Sequence, residues 1–174
     1  FHGTSHLYVS QRAAALLNKE VKDIKIITAH LGNGCSMAAV KYGQSIDTTM
    51  GFTPLEGLLM GTRSGDLDPS LILYIMGKEG LTLGEANTLL NKHSGLIGIS
   101  GESSDMREIL AAVKDNQQRS KWAFEIFCYK IKKYIGAYTA AMGGLDALVF
   151  TGGIGENSTE VREEVCKEME FLGI

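Results

Sequence analysis

Apolar and polar positions recur along this chain in two rhythms, and the switches between them mark its elements. An Ala- and Leu-rich stretch follows Ser5 at helical spacing, which predicts a helix capped by Ser5 and ending near residue 17. Residues 25–31, KIITAHL, form an apolar, β-branched run that predicts a strand. Gly32-Asn33-Gly34 then turns the chain, and residues 35–41 predict a second strand. Tyr42-Gly43-Gln44 turns it again into a third strand over 45–49. Strands joined by turns this short make an antiparallel meander.

Beyond the meander the rhythm becomes helical. Residues 50–66 form a long connection with four glycines and Pro54, and long connections without regular structure tend to carry function. Asp68 is placed to cap a helix whose first residue is Pro69, where the missing N–H costs nothing. Thr82 and Glu85 have capping-box spacing and predict a helix to about residue 91. Residues 93–101 are rich in glycine and serine and read as a loop, and a helix is expected over 105–114. The segment 117–142 predicts one long helix with two apolar stripes, one through Trp122, Ile126 and Tyr129, the other through Phe127, Ile131, Tyr134 and Ile135. Residues 147–151, ALVFT, read as a short buried strand, followed by the turn Gly152-Gly153-Ile154-Gly155. Asn157 or Ser158 then caps a final helix with Glu160, Glu163 and Glu164 near its start, the sign favoured there. Both glycine-rich turns follow a strand, which places them at one edge of a sheet, where α/β proteins hold ligands.

Composition narrows the classes. With 174 residues and 44% hydrophobic content the chain can bury a sizeable core. Its formal charge of −3 and lack of a Lys/Arg-rich block argue against a nucleic-acid partner, and the Lys130 to Lys133 stretch reads as one solvated helix face. No apolar run approaches membrane-spanning length, so no membrane partner is expected. Cys35, Cys128 and Cys166 are odd in number and irregularly spaced. They are expected as free thiols in a reducing cytoplasm rather than as a disulfide framework or a zinc site. The chain opens on a dense polar motif, Phe1-His2-Gly3-Thr4-Ser5-His6, and is expected to be a piece of something longer.

Several motifs have two readings each. His30-Leu31-Gly32-Asn33-Gly34 is either a plain hairpin turn or a loop whose backbone N–H groups approach a phosphate. Thr151-Gly152-Gly153-Ile154-Gly155-Glu156-Asn157 is either a tight strand-to-helix turn or a seat for a flat base or phosphate at a helix start. It is not a Walker A loop, since no Gly-Lys-Ser/Thr follows. Arg63, flanked by Thr62 and Ser64 in the long connection, is either solvated or an anion clamp. His2 and His6 are spaced i, i+4, yet His2 precedes the expected cap, so metal ligation is not expected of them. Ser103-Ser104-Asp105-Met106-Arg107 reads as a simple cap or as a contact for a ribose or base.

Taken in order, FHGTSH, HLGNG, MGFTPLEGLLMGTRSGD and FTGGIGEN resemble the acetate kinase family, which also includes propionate and butyrate kinases. The resemblance runs over the whole chain. It implies an α/β fold of the actin-like ATPase (ribonuclease H-like) kind, a mixed sheet with an antiparallel meander and helices on its faces. Residues 1–174 would form one domain, the nucleotide-binding C-terminal half of such an enzyme, truncated at both ends. The implied reaction is in-line transfer of the ATP γ-phosphoryl group to acetate or another short carboxylate, giving an acyl phosphate and ADP.

The resemblance also implies roles. His2 and Arg63 would stabilise the transferring phosphoryl group. His30, Leu31, Gly32, Asn33 and Gly34 would form the phosphate-contacting turn. Asp105, Met106 and Arg107 would lie around the adenosine, and Gly153, Ile154, Gly155, Glu156 and Asn157 would form the second nucleotide loop. Phe1 and Pro54 would line the pocket for the carboxylate's methyl group. His30 stands where the wider actin-like superfamily has an Asp. Mg²⁺ would accompany the nucleotide, with its protein-side residues outside this chain. A homodimer is implied, and the isolated chain is expected to be inactive. A propionate kinase, or a catalytically silent nucleotide-binding module of the same fold, are the other readings. His2 and Arg63 speak for catalysis, since binding alone does not need them.

Overall fold

A computed structural model describes residues 1–174 throughout. Helix α1 (Gly3–Leu16) leads into strands β1 (Lys25–Leu31), β2 (Cys35–Lys41) and β3 (Gln44–Thr48). Helices α2 (Pro69–Glu79), α3 (Leu83–Lys92), α4 (Gly95–Ser100), α5 (Met106–Lys114) and α6 (Gln118–Met142) follow. Strand β4 (Ala147–Thr151) then leads into α7 (Gly152–Asn157) and α8 (Thr159–Cys166). The strands form one sheet ordered β3-β2-β1-β4. The β1–β2 and β2–β3 pairs are antiparallel, and β4 returns parallel to β1. This is the α/β class with the mixed sheet and antiparallel meander expected of an actin-like ATPase fold.

Side chains alternate between the two faces of a strand, and here the alternation separates packing from chemistry. Ile27, Ala29 and Leu31 of β1, with Cys35, Met37 and Ala39 of β2, pack into the larger core with Phe127, Ile131 and Ile135 of α6. The opposite face carries Ile26 and Val40 against Ala14 of α1. The same period of two puts Thr28, His30 and Ser36 on the α1 face, so polar groups gather where β1 and β2 meet α1. Burying each large α6 side chain contributes about 1.5–3 kcal/mol. The second apolar stripe of α6 stays outside: Trp122, Ile126 and Tyr129 are 52%, 38% and 62% exposed.

The expected caps hold on α2, α3 and α5. Asp68 accepts from Ser70 N at 2.8 Å, Thr82 and Glu85 form the reciprocal capping box, and Asp105 accepts from Arg107 N at 2.9 Å. Three expectations are corrected. Helix α1 begins at Gly3 rather than at Ser5, because the Ser5 hydroxyl is engaged by His30 Nδ1 at 2.9 Å instead of capping. The stretch 93–101 is not a loop throughout but contains α4, whose first N–H groups find acceptors in another segment: Leu96 N donates to Met60 O at 2.9 Å and Ile97 N to Gly61 O at 3.1 Å. The glycine turn after β4 is not a plain turn but winds into α7, while of the two caps expected for α8 it is Ser158 that acts, accepting from Val161 N at 3.3 Å.

Candidate functional site

Strands β1 and β4 run parallel, so their C-terminal ends deliver two glycine-rich segments to the same edge of the sheet. Gly152 has φ +79°, and a Cβ there would sit 2.7 Å from Leu31 O, so only glycine lets α7 start this close to β1. The long connection joins them. Gly61 N donates to Asn33 O at 3.0 Å. A Cβ on Gly61 would lie 2.0 Å from Asn33 Oδ1 and 3.2 Å from Ser104 O. The turn after β1, the Arg63 loop and the start of α5 thus meet at one point.

From that point a cleft of about 850 Å³ opens. Gly32 and Asn33 form its floor; Met106, Arg107, Leu110, Ala111 and Lys114 line one wall, and Gly153, Ile154, Asn157, Ser158 and Glu160 the other. Apolar surface from Leu110, Ala111 and Ile154 can sandwich a flat ring, while the glycine floor exposes backbone N–H groups to anionic oxygens. Asp105 is engaged at the α5 start, where the Arg107 guanidinium binds its carboxylate at 2.5 Å and the Arg107 hydrogen bonds hold its pKa down to about 2. The carboxylate is therefore ionised wherever the protein is folded near neutral pH. Leu110, Ala111 and Lys114 were not singled out from the sequence, and Ser158 and Glu160 only as a cap and a first-turn acid, whereas Ser104 stood in the motif read as a ribose or base contact. The positions 107, 110, 111 and 114 follow helical spacing from Arg107, so the stripe was present as a signal.

One residue beyond that floor, at Gly34, stand the cationic groups. A Cβ on Gly34 would lie 3.4 Å from Arg63 Nη1, 3.7 Å from His2 Cε1 and 3.9 Å from His2 Nε2, so the guanidinium and the imidazole close on the same side of that glycine. The His2 ring stacks on His30 with centroids 3.9 Å apart and planes at 15°. Arg63 is half-buried and makes no ion pair, and its Nη1 rests 3.8 Å from Met60 Sδ. An uncompensated guanidinium beside backbone N–H groups is a place for an anion. Burial, then the neighbouring His30, lowers the His2 pKa; burial also lowers that of His30, opposed by Glu156. Both rings are therefore short of protons until an anion arrives.

The other sequence-predicted residues spread out from this centre. Leu31 is fully buried and meets the site only through its backbone. Gly155 packs against Phe150 and Ala29 O. Glu156 lies by Thr151, whose hydroxyl donates to Oε1 at 3.3 Å, and turns toward a groove on the α1 side. Phe1 is 71% exposed and lines a neighbouring cavity of about 250 Å³ with His2, His6, Ser36 and Met50. Pro54 lines neither cavity. Its loop is nonetheless anchored: Asp66 accepts from Gly57 N at 2.8 Å and from the Tyr134 hydroxyl at 2.5 Å. No three His, Cys, Asp or Glu side chains converge closely enough to hold a metal ion.

Comparison with known proteins gives a consistent result. The profile of the Acetokinase family matches residues 1–174. The chain is 59% identical over 174 residues to the acetate kinase of Bacillus subtilis, covering 100% of this chain and 44% of that protein. The crystal structure of Porphyromonas gingivalis acetate kinase superposes with a TM-score of 0.99 at 55% identity, covering 100% of this chain and 44% of that one. A propionate kinase from Francisella tularensis superposes with a TM-score of 0.93 at 48% identity, over 98% of this chain and 44% of that one. The chain thus spans less than half the length of these relatives.

Proposed function

Because the chain belongs to the acetokinase family, we propose that it supplies the nucleotide cleft and two phosphoryl-stabilising groups of a kinase acting on a short carboxylate. Acetate is the proposed acceptor. The propionate kinase among the structural relatives keeps propionate as the second reading, one methylene being worth only about 1–3 kcal/mol in a pocket. The observation that carries the proposal is the closure of Arg63 and His2 on Gly34, the residue next to the Gly32-Asn33 floor of the cleft.

The chemistry suits that geometry. A carboxylate is already ionised at neutral pH and needs no base to attack phosphorus. The demand in phosphoryl transfer is position and charge neutralisation, which preorganised donors meet. ATP would lie with its base between the α5 wall and Ile154 and its phosphates over Gly32, Asn33 and Gly34. Arg63 and His2 would donate to the equatorial oxygens of the group in flight. Asp105 and Arg107 would hold the ribose side. Mg²⁺, held mainly by the phosphates and water, would supply further charge neutralisation; no three carboxylate, imidazole or thiol groups of this chain converge to hold a metal by themselves.

The test grafts this chain into the Bacillus subtilis acetate kinase in place of the 174 residues it matches. Hydroxamate formation is then measured with ATP and acetate, propionate or butyrate. Turnover of acetate or propionate supports the proposal; a folded, ATP-binding chimera that phosphorylates none of them overturns it.

We further propose a homodimer in the cytoplasm, where three unpaired thiols persist. Trp122, Ile126 and Tyr129 on α6, and Leu73 and Tyr74 on α2, stay outside the core and leave apolar surface exposed. Sedimentation of the chimera at dimer mass is expected, with Trp122→Glu shifting it toward monomer. A wild-type chimera that stays monomeric at high concentration rules the dimer out.

A further inference from the structure

His2 and His30 have proposed roles at the phosphates, whereas His6 and Ser36 have none, although both are buried. They form a continuous chain of hydrogen bonds behind His2. Thr28 Oγ1 lies 2.8 Å from His6 Nδ1, His6 Nε2 lies 2.8 Å from Ser36 Oγ, and Ser36 Oγ lies 2.8 Å from His2 Nδ1. Thr28, Ser36 and His6 are 0%, 2% and 8% exposed, so water does not compete for these bonds. The alternation of β1 and β2 explains why Thr28 and Ser36 face α1, and helical spacing puts His6 one turn below His2.

The direction of the chain is set at its buried end. The Thr28 hydroxyl donates toward Ala38 O at 3.5 Å, so its oxygen is left to accept from His6 Nδ1–H. Burial pulls the His6 pKa down to about 4, which leaves His6 with one ring proton. With that proton on Nδ1, His6 Nε2 accepts from Ser36 O–H, and Ser36 Oγ in turn accepts from His2 Nδ1–H. The remaining nitrogen of His2, Nε2, is the one near Gly34 and Arg63. It carries a lone pair when His2 is neutral and a proton only when His2 is an imidazolium.

We propose that Thr28, His6 and Ser36 form a positioning relay that holds His2 in its Nδ1–H form, so that His2 meets the phosphoryl group only as an imidazolium and nucleotide binding takes up a proton. The proposal rests on the reading of His2 as a phosphoryl donor. The charged and titratable groups facing His2 are His30 stacked from β1, Arg63 from the long connection and His6 from its own helix, with Glu156 beyond His30. Burial first, then the neighbouring His30 and Arg63, lowers the His2 pKa, so His2 is neutral in the free protein at neutral pH. Phosphate oxygens reverse that balance and raise its pKa. Proton uptake is therefore confined to the window between the lowered free-state value and the raised bound-state value: it vanishes as pH falls beneath the first, where His2 is already protonated, and as pH rises above the second, where bound His2 stays neutral.

Three measurements test this. In ¹⁵N spectra of the histidine-labelled chain, His6 and neutral His2 are both expected as Nδ1–H; a His6 proton on Nε2 reverses the relay and overturns the proposal. Calorimetry of ATP binding to the chimera in buffers of different ionisation enthalpy is expected to show net proton uptake at neutral pH; none overturns it. Ser36→Ala is expected to lower kcat on the order of tenfold to a hundredfold with little change in KM for ATP, because His2 loses its orientation. The same variant should abolish the proton uptake, and Ser36→Thr, which keeps a hydroxyl, should restore both. Wild-type kcat and uptake in a folded Ser36→Ala sink the relay; should that variant not fold, the spectra and the proton count of the wild type decide. A chimera without acyl phosphate formation but with the expected spectra and uptake would overturn the kinase reading and leave the relay standing.

Discussion

Arg63→Ala in the chimera is expected to lower kcat for acyl phosphate formation on the order of 10²–10³, the usual cost of removing one preorganised donor to a developing charge. The size follows from what surrounds the group. Arg63 is half-buried, makes no ion pair with any carboxylate, and stands with His2 on one side of Gly34. Its charge is therefore uncommitted in the free protein and available in full to the phosphoryl oxygens. Arg63→Lys is expected to recover only part of the loss, since a point charge cannot reproduce two fixed N–H directions. His2→Ala is expected to act in the same direction. Steady-state rates at saturating ATP and acetate are the check, with kcat falling more than KM rises, as for an interaction made mainly in the transition state. A kcat within threefold of wild type in Arg63→Ala would remove Arg63 from the reaction.

Much of this was legible along the chain because local rules decide it. The apolar, β-branched run KIITAHL and the short turns after it announced the strands, and Asp68, Thr82 and Asp105 announced their helices through side chains that cap. That both glycine segments follow a strand placed them at one edge of the sheet, whereas the parallel pairing of β4 with β1 that brings them together was not read from the sequence. What local rules could not give is set by distant partners. Ser5 looks like a cap, but His30, 25 residues away, takes its hydroxyl. The purpose of Ser36 is invisible until α1 lies over β2 and brings His2 and His6 to it. The wall of the cleft formed by Leu110, Ala111 and Lys114 obeys helical spacing, yet nothing in the spacing says which face of α5 turns inward. Helix α4 is the clearest case. Residues 93–101 carry loop composition, and α4 forms because its N–H groups find the carbonyls of Met60 and Gly61.

That dependence makes Gly95→Ala a strongly damaging small substitution. Gly95 opens α4 at φ +66°, a region that an alanine adopts at a cost. A Cβ there would lie 2.2 Å from Met60 O, 2.8 Å from Arg63 O and 3.0 Å from Arg63 N. All three are backbone atoms, so no side-chain rotation relieves the overlap. The 60–63 turn must move, and with it the bonds from Leu96 N to Met60 O and from Met60 N to Arg63 O. A loss of about 2–4 kcal/mol is expected, from a strained φ and a displaced buried turn together. In the chimera, of which this chain is 44%, that is a fall in melting temperature of roughly 2–5 °C. Because the displaced turn carries Arg63, activity should fall with stability: a shift of about 1 Å is enough for a loss on the order of 10² in rate. Gly77→Ala separates this mechanism from a general intolerance of glycine replacement. Gly77 lies within α2 with nothing near its Cβ position, so alanine there should raise stability by about 0.5–1 kcal/mol and leave kcat alone. Thermal melts and kcat of the two variants in the chimera are the check. A Gly95→Ala protein that melts and turns over like wild type would mean that α4 does not hold the Arg63 turn in place.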